Sequence, residues 1–204
     1  MFEIELKAHV PDRNSLIRTL NEFAEYLRSV KKSDEYYHLS PCSGTSCGEK
    51  YVSVRVRTET QNSCTEKNTV YYLTYKKKEL RQNCDGTSFE LNDEKETVLS
   101  NADAVLSLLH DSGFVLSLRK EKEAEVYKTQ TEYGEATLEL CTVSGLGDFL
   151  EIEILSQTDE EQRVRAIQAE LKKLLLQCGI PLKNIEPNYY SELLAQKKAD
   201  TANR

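Results

Sequence analysis

Charged and apolar residues alternate in the first ten positions of the chain, MFEIELKAHV. Glu3, Glu5 and Lys7 occupy every second position, so in a strand they lie on one face and their apolar neighbours on the other. Taken alone, this pattern is typical of an edge strand with one solvated face. The alternation recurs in YVSVRVRTE, VYYLTYKKK, FELNDEKETVL and FLEIEIL. It therefore predicts a sheet in which most strands carry one charged face and one apolar face.

Four further segments have the periodicity of amphipathic helices. The predicted helices cover residues 12–29, 101–112, 161–177 and a last segment that starts near residue 188. Thr158 and Glu161 have the spacing of a capping box for the third helix, and Gly179 follows its end. DEYYHL predicts a short strand, SPCSGTSCGEK a loop, and the pair FVLSLRKEKEAEVYK and EATLELCTV a hairpin.

Composition and charge narrow the class of protein. The chain has 204 residues, of which 39% are hydrophobic and 30% charged, and no run approaches the ~20 apolar residues of a membrane span. No signal peptide is visible at the N-terminus. The net charge of -7 argues against broad binding to nucleic acid or to anionic membranes. We predict a single domain over residues 1–195 and a flexible C-terminal tail over residues 196–204.

The six cysteines do not form a recognisable metal-binding or disulfide pattern. None is part of a C-x-x-C pair, and no His lies at zinc-finger spacing, which argues against a zinc site. Without an export signal, reduced thiols and a cytoplasmic location are expected. The oligomeric state is left open, with a homodimer as one alternative.

The charged faces of the strands need a binding partner. If the amphipathic helices cover the apolar faces of the sheet, the charged faces turn toward one another, as in a closed or nearly closed antiparallel barrel of eight strands with helices outside. Burying acids and bases together without a ligand would be very unfavourable. A triphosphate with a divalent metal satisfies both signs, because Arg and Lys bind phosphate oxygens and carboxylates bind Mg²⁺ or Mn²⁺. An antiparallel sheet with helices packed outside it belongs to the α+β class, which is the predicted fold class.

Six segments, in order, resemble the CYTH proteins, also called triphosphate tunnel metalloenzymes. EIELK is similar to the family's E-x-E-x-K signature, VSVRVRTE to its paired-Arg strand, LTYKKK to its LTYK strand and NDEKETV to its central E-x-E strand. GLGDFLEIEI resembles GLG-x-F-x-E-I-E, and NYYSELL resembles SY-x-E-L-L. The superfamily includes CyaB-type class IV adenylyl cyclases, thiamine triphosphatases, and tripolyphosphate and RNA triphosphatases. The chain is most similar to the CyaB type.

The resemblance implies a role for each charged position. The implied ligands of Mg²⁺ or Mn²⁺ are Glu3, Glu5, Glu139, Glu151 and Glu153. The implied triphosphate-binding residues are Lys7, Arg55, Arg57, Lys76, Lys78, Lys120 and Lys122. Lys7, Glu94 and Glu96 are assigned to catalysis, and the two glutamates would line the tunnel and orient basic residues or the metal. For Lys78 and Lys120, a solvated surface position is the alternative.

Two positions depart from the family pattern. Aligning on Tyr127 places Lys122 at the Lys and Ala124 at the Arg of a K-x-R motif, so one phosphate contact is missing. Cys141 stands where the family has Asp, and Glu139, two residues earlier on the same face, can substitute. Since Mg²⁺ prefers oxygen ligands, a Cys at this position is more typical of packing than of metal binding.

Three functions stay open at this point. In a class IV adenylyl cyclase, which is slightly favoured, the ribose 3′-hydroxyl of ATP attacks the α-phosphorus and releases pyrophosphate. In a hydrolase, water attacks tripolyphosphate or an organic triphosphate such as thiamine triphosphate. The third alternative is a non-catalytic module that binds polyphosphate, and its support is limited to Ala124 and Cys141.

Overall fold

A computed structural model describes residues 2–39, 52–62, 67–82 and 88–202. These residues form eight strands: β1 (Phe2–His9), β2 (Glu25–Leu39), β3 (Val52–Asn62), β4 (Lys67–Gln82), β5 (Ser88–Leu99), β6 (Phe114–Thr131), β7 (Gly134–Val143) and β8 (Gly147–Ser156). Four α-helices accompany them: α1 (Arg13–Phe23), α2 (Asp103–Asp111), α3 (Glu161–Gln177) and α4 (Tyr190–Ala202). A 3₁₀ turn at Leu182–Asn184 precedes α4. The α+β class is confirmed.

The strands form one antiparallel sheet in the order β1-β8-β7-β6-β2-β3-β4-β5. The hairpin predicted from sequence is confirmed, since β6 pairs with β7. Strand β7 also pairs with β8. Within the described ranges, no hydrogen-bonded pairing joins β1 to β5 at the two ends of this order. The sheet is therefore not closed by hydrogen bonds, and the predicted closed barrel is not confirmed.

The chain divides into two compact units, and strands β2 and β6 contribute to both. The first unit comprises Met1–Lys31, Asn62–Thr65 and Lys122–Arg204, and the second comprises Lys32–Gln61 and Glu66–Glu121. The proposed site residues are therefore divided between the units, with the acidic strands β1, β7 and β8 in the first and the arginines of β3 in the second.

The core of the first unit lies on the apolar face of β1, β8, β7 and β6. Leu150, Ile152 and Ile154 of β8 are at most 1% exposed, and they alternate with the charged positions of the same strand. Helices α1 and α3 cover this face with buried aliphatic side chains, namely Leu16, Leu20, Ile167, Leu171, Leu174 and Leu175. In this unit, amphipathic helices therefore cover the apolar face of the sheet, as their periodicity predicts.

A smaller core holds the second unit together. Val54 and Val56 of β3 are buried against Ala102, which precedes α2, and Leu109 within it. These valines alternate with Arg55 along β3, so the apolar face of the strand packs on the helix and the basic face points the other way.

The first helix is shorter than the sequence predicts. Helix α1 ends at Phe23, Ala24 is extended, and Glu25–Leu39 forms strand β2. The helix predicted over residues 12–29 would include Leu27, which lies on β2 and is 38% exposed. Because β2 pairs with β6 on one side and β3 on the other, sheet pairing overrides the local helical pattern. The predicted short strand DEYYHL is the end of this long strand.

The predicted start of the third helix is also corrected. The N-cap of α3 is Glu160, which makes no side-chain capping bond. The Thr158 hydroxyl instead accepts a hydrogen bond from the Glu160 amide at 3.2 Å, just ahead of the helix. The capping box predicted for Thr158 and Glu161 is therefore wrong.

Three further predictions concern a loop, the C-terminal tail and membrane spans. The predicted loop SPCSGTSCGEK lies outside the described residues. Helix α4 continues to Ala202, so it includes most of the segment predicted as a tail. No helix within the described ranges is long and apolar enough to cross a membrane.

Two leucines of β8 provide a test of this arrangement. Leu150 is fully buried and Leu155, on the same strand, is 48% exposed. We expect Leu150→Ala to lower the free energy of unfolding by about 2–5 kcal/mol, because it leaves a cavity in the core. The matched control Leu155→Ala should change it by less than about 1 kcal/mol. Urea unfolding measures both, and equal losses would contradict the assignment of the core face.

Candidate functional site

The strand register places the charged residues of the first unit on one face. In the antiparallel pair β1–β8, Glu5 lies opposite Glu153 and Lys7 opposite Glu151. In the neighbouring pair β7–β8, Glu139 lies opposite Glu151. Residues directly opposite one another share a face, so the structure brings these five predicted site residues together. Glu3 lies on the same face of β1, opposite Leu155.

Lys122 forms a buried ion-pair cluster on this face. Its Nζ lies 2.5 Å from Oε1 of Glu139 and 2.7 Å from Oε2 of Glu151. The residue is only 4% exposed. Burial alone would lower the pKa of Lys122, but the two carboxylates raise it above its ordinary range. Burial would likewise raise the pKa of Glu151, and the Lys122 ammonium lowers it instead. Lys122 and Glu151 are therefore both charged at neutral pH.

A second group of carboxylates surrounds Glu153. Burial, together with the negative charges of Glu3 and Glu5, raises the pKa of Glu153 to about 7. Repulsion within such a group is relieved by a bound cation. Carboxylate oxygens are also the donors that Mg²⁺ and Mn²⁺ prefer. The residues present therefore fit the divalent metal that the resemblance implies.

The two departures from the family pattern are neighbours in the sheet. Ala124 of β6 lies opposite Cys141 of β7, and Cys141 lies opposite Phe149 of β8. All three belong to one buried apolar cluster, which also contains Tyr190, the first residue of α4. The position where the family has an Arg is thus an apolar surface packed against α4.

Cys141 also lies beside the ion-pair cluster. Its sulfur and the carboxylate oxygens of Glu139 and Glu151 lie within 4.8 Å of one another, a spacing that could hold a metal ion. Burial raises the pKa of the Cys141 thiol to about 12, so without a metal the thiol is protonated at neutral pH. This supports the packing interpretation of Cys141, because the thiolate is the form that binds metals.

In the second unit, Asp34 binds two predicted phosphate-binding residues. Arg57 donates to both Asp34 oxygens, from Nε at 2.6 Å and from Nη2 at 3.0 Å, and Lys120 Nζ lies 3.0 Å from Oδ2. The Tyr36 hydroxyl also donates to Asp34, at 3.3 Å. Burial alone would raise the pKa of Asp34, but Arg57 and Lys120 hold it well below its ordinary range. Lys120 is 7% exposed, so the alternative of a solvated Lys120 is wrong.

A separate contact orients Arg55 in the same unit. Its Nη2 lies 3.1 Å from Oε2 of Glu96 and 3.0 Å from the hydroxyl of Thr74. The Thr74 hydroxyl in turn donates to Glu96 at 2.7 Å. Thr74 is 1% exposed, so its buried hydroxyl fixes the orientation of the Arg55 guanidinium group. A contact between Glu96 and a basic residue is of the kind that the resemblance implies.

The remaining predicted site residues lie on the β4–β5 pair. Lys76 is opposite Glu94, and Lys78 is opposite Asn92. The side chains of Lys76, Lys78 and Glu94 lie outside the described part of the structure. Their assignments stay predictions.

Asp34 and Tyr190 are the residues that the sequence analysis missed. The signal for Asp34 is present in DEYYHL, where Asp34 and Tyr36 alternate and so share a strand face. Because DEYYHL is predicted as a short separate strand, the sequence analysis does not place Asp34 on the long strand β2 of the sheet. Tyr190 belongs to the NYYSELL segment that resembles SY-x-E-L-L, but nothing in that motif indicates that its side chain reaches Lys7 and Glu151.

The Asp34 cluster gives a stability test. We expect Asp34→Asn to lower the free energy of unfolding by about 3–5 kcal/mol, as is typical when one partner of a buried ion pair is removed. Arg57 and Lys120 would lose the carboxylate that they share. The matched control Glu121→Gln removes an exposed carboxylate of the same unit and should change it by less than about 1 kcal/mol. Urea unfolding at neutral pH measures both free energies. Equally small changes in the two variants would contradict the stabilising role of the Asp34 ion pairs.

The same variant has an expected pH signature. The pKa of Asp34 in the folded state lies below its ordinary value of 3.8, so its stabilisation is fully present above that pH. It is lost as the pH falls from 3.8 toward the folded-state pKa. The stability of Asp34→Asn should therefore fall less steeply below this pH than that of the wild type.

Comparison with known proteins gives results that agree with this geometry. The model of the CYTH domain matches residues 1–190. Comparison with curated proteins finds no match. Among solved structures, the PH1819 protein of Pyrococcus horikoshii OT3 is 27% identical with a TM-score of 0.69, covering 96% of this chain and 99% of its own.

Two more distant structures share the fold. A candidate adenylate cyclase from Vibrio parahaemolyticus is 18% identical with a TM-score of 0.67, covering 96% of this chain and 98% of its own. HpAC1 from Hippeastrum, described as a candidate adenylyl cyclase with a dominant triphosphatase activity, is 19% identical with a TM-score of 0.56. That match covers 97% of this chain and 95% of HpAC1. With the family model matching nearly the whole chain, the protein belongs to the CYTH domain family.

Proposed function

We propose that this protein is a metal-dependent enzyme that attacks a triphosphate, with hydrolysis as its main reaction. The observation that carries the proposal is the face of β1 and β8, where Glu5 and Lys7 lie opposite Glu153 and Glu151. That face combines a group of repelling carboxylates with Lys7, and Lys122 of β6 is buried beside it. A metal triphosphate complements both signs of charge. We include in this proposal the closed or nearly closed barrel around the substrate, which the resemblance implies.

The carboxylates of the first unit are the metal ligands in this proposal. Glu3, Glu5 and Glu153 form the group whose repulsion a cation relieves. Glu139 and Glu151 would support it from their contacts with Lys122. Bound Mg²⁺ or Mn²⁺ supplies polarisation of the phosphate and a lower pKa for the attacking group.

Basic residues bind and orient the phosphates. Arg55 and Arg57 are each held by a carboxylate, so their guanidinium groups are positioned before a ligand arrives. The Asp34 carboxylate holds Arg57 and Lys120 together, and both are side chains of the type that binds phosphate oxygens. Lys7 and Lys122 would act in the same way on the first unit, and the resemblance adds Lys76, Lys78 and the catalytic Glu94 and Glu96.

One structural observation favours hydrolysis over cyclisation. The row Ala124–Cys141–Phe149 is apolar where the family has a basic residue, so fewer contacts fix which phosphorus is attacked. Cyclisation needs the ribose hydroxyl in one orientation, whereas water reaches a phosphorus atom from several positions. The dominant triphosphatase activity described for HpAC1 supports the same choice. The motif similarity to CyaB-type chains keeps the cyclase as the second candidate.

Product analysis tests the reaction. The full chain is incubated with tripolyphosphate and, separately, with ATP, each with Mg²⁺ or Mn²⁺, at neutral and alkaline pH. We expect orthophosphate from tripolyphosphate and no cyclic AMP from ATP. Cyclic AMP with pyrophosphate would establish the cyclase instead. Tight binding without any product would identify a non-catalytic module, and neither binding nor product would overturn the proposal.

Removal of single carboxylates tests the metal assignment. Glu5→Gln and Glu153→Gln keep the side-chain shape and remove a charge, and each should lower turnover by a factor of about 100 or more. EDTA should abolish turnover, and added Mg²⁺ should restore it. Glu123→Gln is the matched control, because Glu123 is exposed and pairs only weakly with Lys31 at 3.2 Å. Full activity of the Glu153 variant, or turnover in EDTA, would count against the assignment.

A further inference from the structure

The chain segment that leads into α4 is fixed to the end of β1. Ile185 forms a backbone bridge with Ala8, and the Glu186 amide donates to the Lys7 carbonyl at 2.8 Å. The Glu186 carboxylate also lies 2.9 Å from Nε2 of His9. Residues 7–9 of β1, which include the Lys of the EIELK motif, are therefore held by the segment that immediately precedes α4.

The Lys7 side chain contacts the same segment. Its Nζ donates to the Asn188 carbonyl at 2.5 Å and lies 4.3 Å from the centroid of the Tyr190 ring. An ammonium over an aromatic face is attracted by the ring quadrupole. These two contacts together fix the position of the Lys7 ammonium.

The other end of the Tyr190 side chain contacts Glu151. Tyr190 is 8% exposed and packs edge-on against Phe149, with ring centroids 5.0 Å apart. Its hydroxyl is hydrogen-bonded to Glu151 and lies 3.6 Å from the Cys141 sulfur. A phenol hydroxyl beside a carboxylate is the donor of their hydrogen bond, so Tyr190 donates to Glu151.

The apolar row explains how Tyr190 fits at this position. Ala124 is 3% exposed and Cys141 is fully buried in the cluster that contains Tyr190. A long Arg side chain at position 124 would have to enter this packed cluster, next to the Tyr190 ring. The two departures from the family pattern and the buried Tyr190 therefore belong to one packing arrangement.

We propose that Tyr190 is a positioning residue of the site on the first unit. Its ring holds the ammonium of Lys7, and its hydroxyl holds the carboxylate of Glu151. Lys7 and Glu151 are directly opposite one another in the β1–β8 register, so one side chain from α4 fixes a cation and an anion of the site together. This inference rests on the proposed function, in which both residues act on the metal triphosphate.

Two variants of the full chain separate the two contacts. Tyr190→Phe removes the hydroxyl and keeps the ring, so it should weaken Mn²⁺ binding and lower kcat, each by roughly tenfold, as loss of outer-shell partners does. Its affinity for tripolyphosphate should stay within about twofold in the absence of metal. Tyr190→Leu removes the ring as well and should also lower that affinity by about tenfold. Calorimetry measures both affinities, and Tyr133→Phe, on the β6–β7 turn, is the control.

A double-mutant cycle distinguishes positioning from a merely structural role. If Tyr190 acts through Glu151, Tyr190→Phe should have no further effect on Mn²⁺ affinity or kcat in a Glu151→Gln background. An equal loss in both backgrounds would overturn the role. Because Tyr190→Phe keeps the buried ring, this cycle decides the question even if Tyr190→Leu fails to fold.

The outcomes for the wild type separate this inference from the proposed function. A wild-type protein that binds no tripolyphosphate, with or without Mn²⁺, would overturn the proposed function and this role with it. A wild-type protein that binds tripolyphosphate and Mn²⁺, with Tyr190→Phe and Tyr190→Leu unchanged in both affinities, would overturn the positioning role alone.

Discussion

The register between β1 and β8 is the constraint on which the site of the first unit depends. Side chains alternate along both strands, so a slip of one residue would turn every carboxylate of β8 toward the helices and every aliphatic side chain toward the charged face. The buried positions Leu150, Ile152 and Ile154 prevent that slip, because they pack under α1 and α3. The hydrophobic core therefore selects the register, and the register in turn determines which charged residues meet.

In each unit, one buried charged group lies between two groups of the opposite sign. In the first unit, one ammonium, that of Lys122, lies between two carboxylates. In the second, one carboxylate, that of Asp34, lies between Arg57 and Lys120. Each of these central charges is paired with two groups of opposite sign, as desolvation requires.

Much of the sheet could be predicted from the sequence, because alternation is a local property. It identifies β1, β3, β4, β5 and β8 and the β6–β7 hairpin, together with the charged residues that these strands carry. It fails at β2, where a helical period continues across Ala24 and only pairing with β3 and β6 decides the structure. Tyr190 could not be predicted either, since its contacts with Lys7 and Glu151 join distant parts of the chain. Closure of the sheet also depends on contacts between strands that are distant in the sequence, and it stays a prediction.

The burial of Cys141 has a consequence for the chemical durability of the site. Peroxides and alkylating reagents attack the thiolate, and a thiol with a pKa of about 12 has almost none of it at neutral pH. Tyr190 and Phe149 pack against the sulfur and its surroundings, which further limits access. Of its charged neighbours, Lys122 favours the thiolate, whereas Glu139 and Glu151 disfavour it. Here the same packing that replaces a polar side chain with sulfur also keeps that sulfur inert.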